Sequence, residues 1–449
     1  MKTGYRLIVL SVALLAVTPA WAGEKLTVER CRSLALENNA AVRNARLETE
    51  AARAAKKVAF TRYFPSLSAG AVTFKADKPL MEFTIPGGNL PVYDGNPAQL
   101  ATATQFAFFP PSTLSMLGRG TYGMVGATQP VFTGGRIVNG NRLAALGVEV
   151  GGFQEEVARH ELLRATEEQY WRVVALERKQ RTVASAGEFL SRLLAKVEDG
   201  YQAGLASRNE VLKVKLKLAE LKVDECQLKN GRDVALRALC QTVGLPYDPT
   251  LELAGAPPPD GPPEAYRVDH RTVLPDRPEY KLLLAAVRAE GLQSRQKLGE
   301  FLPQASVGLA GLYMKNDELK GTTRGVVYGT LSIPLSGWWE ASHTVRGRRA
   351  REEIAKNNLR DRGEALLIQM EKAWQDLDDA VRGVELAREA LALAEENLAT
   401  GEDSYENGLS DVADLLEAQT LRQQALDRVT DAAIGYRLRV VEYLMVTGR

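Results

Sequence analysis

The sequence predicts an α+β membrane protein built from two tandem repeats, with four transmembrane β-strands per protomer and very long helices. Three observations predict it. One spacing of 204 residues relates a long stretch of the chain to a later one. Two segments of more than sixty residues keep a helical pattern without a proline. Four Gly-rich stretches have the ~9–11 residues that a tilted strand needs to cross a bilayer.

The chain has 449 residues and a net charge of +1. Residues 1–22 read as a secretory leader. Lys2 and Arg6 precede a short apolar run, and Ala20 and Ala22 supply the small residues of a cleavage site. Gly23 follows rather than a cysteine, so no N-terminal lipid is expected. No later apolar run approaches the ~18 residues of a membrane helix, which leaves a periplasmic, secreted or β-inserted protein. A charge balance near zero does not point to nucleic acid. Cys31, Cys226 and Cys240 lie on helical segments and read best as small apolar packing residues, with one disulfide still open.

The repeat organises everything else. Tyr201, Gly204 and Leu205 recur as Tyr405, Gly408 and Leu409, and the same offset takes Pro130 to Pro334, Tyr170 to Trp374, Glu210 to Asp414 and Gly244 to Gly448. Upstream, Phe64-Pro65 resembles Leu302-Pro303 at an offset of 238, so the first copy carries about 34 extra residues between positions 70 and 125. That segment is rich in Gly, Pro and aromatics and reads as a long loop. The division is a first repeat over 23–245, a Pro-rich linker over 246–275, and a second repeat over 276–449.

Each repeat opens with an amphipathic helix, over 27–62 and 276–301, with Thr27 as a plausible N-cap. Strands follow at 66–74 and 121–129 in the first copy, and at 304–314 and 325–333 in the second. Pro65, Pro130, Pro303 and Pro334 stand at their outer ends, where a missing N–H does least harm. A long helix comes next, over 134–199 and 337–403. In the second copy Leu377, Val384, Leu391 and Leu398 recur every seven residues, with Ala380, Ala387 and Ala394 three places later, as in a coiled-coil seam. Such a helix would be on the order of 100 Å long. A Gly turn leads to a last helix, over 207–243 and 410–446. Trp338 and Trp339 suit either a membrane–water boundary or packing at the junction of strand and helix. Two two-stranded hairpins cannot close a barrel, and lipid does not tolerate open edges, so the wall must be completed by other copies of the chain.

Chemistry of the catalytic kind is not expected. Residues 118–123 fit G-x-G-x-x-G, but a strand follows where a dinucleotide site needs a helix. His160, His270 and His343 are far apart, and the cysteines lack ligand spacing, so no metal or cofactor is implied.

With these features in place the mature chain resembles the TolC-like outer-membrane efflux family. The resemblance rests on the duplicated helix–hairpin–helix plan, on Gln129-Pro130-Val131-Phe132-Thr133-Gly134-Gly135, and on the twin Tyr-x-x-Gly-Leu turns. It implies a homotrimer with a twelve-stranded barrel in the outer membrane and a helical tunnel through the periplasm. It implies as partners outer-membrane lipid, a periplasmic adaptor (membrane fusion) protein and an inner-membrane pump. By position it implies adaptor-docking tips at Gly204, Leu205, Gly408, Leu409 and Ser410, and a periplasmic gate at Tyr405, Asp414, Glu417 and Glu210. Where the family's best-known member has an arginine two residues after the second tip glycine, Ser410 stands here. The closing network therefore differs, or leans on Arg208. Chemistry gives these residues a separate reading. Gly204 and Gly408 permit positive φ at a sharp reversal. Asp414 and Glu417 share a helix face, and symmetry would make each a ring of charge that favours cations. They also read as ordinary solvated carboxylates, and Tyr201 and Tyr405 as packing residues. The implied function is a passive export duct of a tripartite efflux or type I secretion system, gated at its periplasmic end. The alternative is a periplasmic coiled-coil adaptor or scaffold with no pore.

Overall fold

The structure is a computed structural model that describes residues 25–79, 81–92, 105–116, 118–255, 262–316 and 321–449. The expected leader lies outside the described residues, as do the linker prolines 257–259. The chain forms α1 (Val28–Asn38), α2 (Ala40–Thr61), β1 (Ser66–Lys75), β2 (Met81–Ile85), β3 (Gly88–Pro91), β4 (Phe106–Phe109), β5 (Ser112–Met116), β6 (Arg119–Phe132), α3 (Arg136–Gln202), α4 (Arg208–Val243), α5 (His270–Val273), α6 (Pro278–Leu298), β7 (Gln304–Asn316), β8 (Thr322–Ser332), α7 (Gly337–Glu406) and α8 (Val412–Val446). The long helices α3 and α7 run for 67 and 70 residues. None of the described helices is long and apolar enough to cross a membrane.

Two units divide the chain. One comprises Arg46–Gln154 and Glu279–Glu364. Its centre is a single antiparallel sheet of order β1-β6-β7-β8, in which β6 also pairs with β7, so the two expected hairpins are one continuous wall. The register sorts its side chains. Leu67 pairs with Ala127, Ala127 with Leu309, and Leu309 with Val327, all on one face, where Leu67 and Val327 are 80% and 78% exposed. The opposite face carries Ser66, Thr128, Ser306, Tyr328 and Thr330. There Thr128 Oγ1 lies 3.1 Å from the Tyr328 hydroxyl, and Ser306 Oγ lies 2.5 Å from Thr330 Oγ1. Gly308 leaves room for the Tyr328 ring, since a Cβ there would meet it at 2.3 Å. Toward the helices the sheet is thus apolar on one side and hydroxyl-rich on the other, the period-2 pattern of a wall between lipid and water; farther out the first face carries Lys75, Arg119 and Lys315 and the second Val72, Met124 and Val326. Among the described residues no further strand pairs with its outer strands β1 and β8.

Where the wall meets the helices, two glycines close on each other. A Cβ on Gly134 would stand 2.3 Å from the Gly299 carbonyl oxygen, and one on Gly299 would stand 2.4 Å from that of Gly134. Nearby, Trp338 Nε1 donates to the Phe301 carbonyl (2.9 Å) while Trp339 is exposed. Arg288 reaches Glu149 at 2.8 Å, and Arg348 donates to Gln293 at 3.0 Å, tying α3 to α6 and α6 to α7.

In its described residues the segment expected as a loop between positions 70 and 125 is a ribbon instead. β2 pairs with β5, and β3 pairs with β4, each ladder nested inside the last. Pro86-Gly87 and Pro110-Pro111 sit between ladders, where a chain that cannot offer every N–H interrupts pairing. Residues 118–123 open onto β6, which leaves no helix for a dinucleotide loop.

The other unit comprises Met1–Ala45, Glu155–Pro278 and Ala365–Arg449. The first helix expected over 27–62 is two helices. Asn39 is extended, its Oδ1 accepts from Ala41 N–H (2.8 Å), and its Nδ2 donates to the Thr242 carbonyl (3.0 Å). Thr27 caps α1 as expected, accepting from Arg30 N–H at 3.2 Å. One apolar core gathers Cys31, Leu34, Tyr170, Trp171, Leu236, Leu239 and Cys240. The Tyr170 hydroxyl lies 3.0 Å and 2.8 Å from the carbonyl oxygens of Leu26 and Ala254. Cys31 and Cys240 are buried thiols, as packing residues should be, whereas Cys226 is exposed, and all three are free. A second core joins Met370, Trp374, Leu377, Val440 and Tyr443. Within the expected linker over 246–275 the chain forms short helices at Pro263–Tyr266 and His270–Val273, and Tyr266, Val268, Val273 and Leu274 pack on this core.

Among the described residues two charged ones are buried, Glu167 and Arg277. Glu167 of α3 is fully buried, ion-paired with Arg32 of α1, 3.7 Å from Arg437 Nε of α8, and accepts from Trp171 Nε1 at 3.2 Å. At the offsets seen in the sequence, Glu167 corresponds to Glu371 and Arg32 to His270. These also meet, His270 Nδ1 lying 3.5 Å from Glu371 Oε2 beside the Tyr443 hydroxyl, but at the surface.

Candidate functional site

The twin Tyr-x-x-Gly-Leu turns have a specific geometry. At the end of α3, Gly204 N–H donates to the Tyr201 carbonyl (3.0 Å) and Leu205 N–H to the Gly200 carbonyl (2.8 Å). At the end of α7, Gly408 N–H donates to the Tyr405 carbonyl (3.0 Å) and Leu409 N–H to the Ser404 carbonyl (2.8 Å). Both are Schellman caps, which need a left-handed residue at the glycine, and φ is 77° and 72°. The leucine after such a glycine commonly folds back onto its helix. Here Leu205 and Leu409 are 87% and 81% exposed. The expected docking tips thus present two bare leucines on rigid turns. Ser410 is half-buried, and its hydroxyl has no hydrogen-bond partner.

The next helices start at once. Ser207 and Glu210 form a reciprocal capping box on α4, Ser207 Oγ accepting from Glu210 N–H (3.2 Å) and Glu210 Oε2 from Ser207 N–H (3.3 Å). Asp411 caps α8, accepting from Ala413 and Asp414 N–H at 2.6 and 3.1 Å. Glu210, expected at the gate, therefore also has a local duty at a helix start. Arg208 is exposed beside it.

The two hairpins pack together along this stretch. Val183, Leu190, Leu193 and Val197 of α3 join Val211, Val214 and Leu221 of α4, Leu398 of α7, and Val412, Leu415 and Ala418 of α8 in one core. Tyr405 packs against it, half-buried. Burial pushes its phenol up, Glu210 adds to that, and Lys196 opposes it. Asp414 and Glu417 both lie exposed on α8, on the face away from Val412, Leu415 and Ala418. The structure thus packs Tyr405 on the core shared by the hairpins and sets the two carboxylates toward solvent.

Sequence reasoning missed the ion pairs between the hairpins. Lys196 Nζ lies 2.6 Å from Glu406 Oε1, and Lys213 Nζ lies 3.9 Å from Asp411 Oδ2. Their partners are some two hundred residues apart, and no local pattern marks them. A groove of about 230 Å³ lies beside the first pair, lined by Phe189, Arg192, Lys196, Glu402 and Tyr405 among others.

Residues 31–245 match the sequence model of the family described as outer membrane efflux protein. Protein CyaE of Bordetella pertussis is 26% identical over 259 residues, covering 55% of this chain and 53% of CyaE, so the match spans about half the length of that relative. The CmeC outer membrane channel of Campylobacter jejuni superposes with a TM-score of 0.75 at 15% identity, over 94% of this chain and 85% of CmeC. The outer membrane protein VceC of Vibrio cholerae gives 0.74 at 15% identity, over 94% of this chain and 96% of VceC.

Proposed function

We propose, for a chain whose residues 31–245 belong to the outer membrane efflux protein family, the role of outer-membrane channel in a tripartite efflux or type I secretion system. The observation that carries this reading is the four-stranded sheet. In its rows nearest the helices, the exposed apolar face suits lipid and the hydroxyl-bearing face suits a watery lumen, and its edges β1 and β8 call for further copies. Three copies make a twelve-stranded barrel in the outer membrane. The 67- and 70-residue helices, on the order of 100 Å at 1.5 Å per residue, extend the duct through the periplasm. A periplasmic adaptor with an apolar contact surface docks on Leu205 and Leu409, and an inner-membrane pump supplies the energy. Asp414 and Glu417 form carboxylate rings at the periplasmic entrance, while Tyr405 and Glu210 hold neighbouring helices closed. A pore-less adaptor would have no use for a sheet with one bare apolar face.

The test is conductance of the purified oligomer in planar bilayers. The wild type should conduct small currents with a preference for cations. Replacing Asp414 and Glu417 together by Ala should remove most of that preference and raise the conductance several-fold. No pore in the wild type would refute the channel. A pore unaffected by the double substitution would refute the gate. Replacing Leu205 and Leu409 by Ser should leave the conductance unchanged and abolish adaptor binding.

A further inference from the structure

The ribbon of β2, β3, β4 and β5 is a surface that the channel reading leaves unexplained. Along β2, Phe83 and Ile85 alternate with Glu82 and Thr84, and Thr84 Oγ1 lies 3.4 Å from Thr113 Oγ1, so one face is polar and the other apolar. Farther out, Phe106 and Phe108 share one face of the β3–β4 ladder, and Leu90 and Phe109 share the other. All six apolar side chains are exposed, Phe108 at 70%. Glu82 is the one ionised residue among the described residues 81–92 and 105–116. A strand pair so apolar and so poor in charge aggregates when left open in water, and natural proteins cover such surfaces.

Lipid is not the natural cover. β1 and β6, of 10 and 14 residues, already meet the length that a tilted strand needs to cross the bilayer. The two outer ladders add about 30 Å of ribbon beyond them. The ribbon rises from the hairpin of β1 and β6, of which β1 is an edge strand, while only five residues separate β7 from β8. Each copy thus carries one apolar ribbon at its boundary with the next copy. We propose that the ribbons of one oligomer pack on each other through Phe83, Ile85, Leu90, Phe106, Phe108 and Phe109, forming an apolar knot across the outer mouth of the channel. The proposal rests on the channel reading and adds a second closure, at the end opposite the helical tips.

Cysteine cross-linking of the full-length oligomer tests it. In a Cys226→Ser background the remaining native thiols, Cys31 and Cys240, are buried. Phe108→Cys should then yield covalent dimers with a short bismaleimide, and Thr84→Cys on the polar face should stay monomeric on denaturing gels. In an Asp414→Ala, Glu417→Ala background, with the periplasmic end already open, replacing Phe83 and Phe108 together by Glu should raise bilayer conductance several-fold further. Absence of Phe108→Cys cross-links in an oligomer that conducts would overturn the knot. So would quenching of a fluorophore at position 108 by brominated phospholipid, which would place the ribbon in the membrane. A wild type with neither oligomer nor pore would sink the channel reading itself.

Discussion

Gly134 and Gly408 hold φ values of 62° and 72°, yet they should respond differently to alanine. At Gly408 a new Cβ would enter open space, so Gly408→Ala should cost only the left-handed backbone, about 1–2 kcal/mol, seen as a fall of a few degrees in the melting temperature of the oligomer. At Gly134 the Cβ would meet the Gly299 carbonyl, and Gly134→Ala should yield no stable protein. Asp427 offers a test by pH. Its Oδ1 lacks a hydrogen-bond partner, and burial pushes the carboxyl up more strongly than Lys179 pulls it down, with Asp431 and Asp224 adding to the push. The folded state therefore holds this proton more tightly than the unfolded chain. Stability from this group is lost as pH rises from the ordinary value of 3.8 through the raised one. Asp427→Asn should melt above the wild type at pH 8, and the gap should close toward pH 4. A variant that melts lower at pH 8 would show that the tie to Lys179 outweighs burial.

At the scale of elements, the two glutamate pairs give the sharpest contrast. Glu167→Gln removes a buried counter-charge from Arg32 and should cost about 3 kcal/mol or more. Glu371→Gln breaks an exposed contact to His270 and should cost less than about 1 kcal/mol. Thermal denaturation in detergent compares them, and equal losses would refute the argument. The helices and sheet strands were legible because each rests on a local signal. Unbroken periodicity gave α3 and α7, Pro65, Pro303 and Pro334 gave three strand ends, and the Tyr-x-x-Gly-Leu signature gave the tips, whereas Pro130 lies inside β6, which runs on to Phe132 over a register shift. What escaped depends on distant partners. The break at Asn39 lies inside an even amphipathic pattern and is held by the Thr242 carbonyl, 203 residues on. The ribbon was hidden because the prolines and glycines between its ladders carry the composition of a loop. The Lys196–Glu406 pair exists only because two hairpins lie side by side.

For the whole molecule, the open edges of β1 and β8 carry a kinetic meaning. A lone copy entering lipid would leave two rows of backbone amides and carbonyls without water or partner, each at a cost of several kcal/mol. Insertion should therefore wait until chains have met. Its rate should climb more steeply than in proportion to the amount of protein, approaching second or third order, as timed vesicle insertion over a dilution series would reveal. Cells that make the chain sparingly would accumulate it first as an aqueous pool, and the time spent there, rather than the passage into the bilayer, would govern when new ducts begin to work.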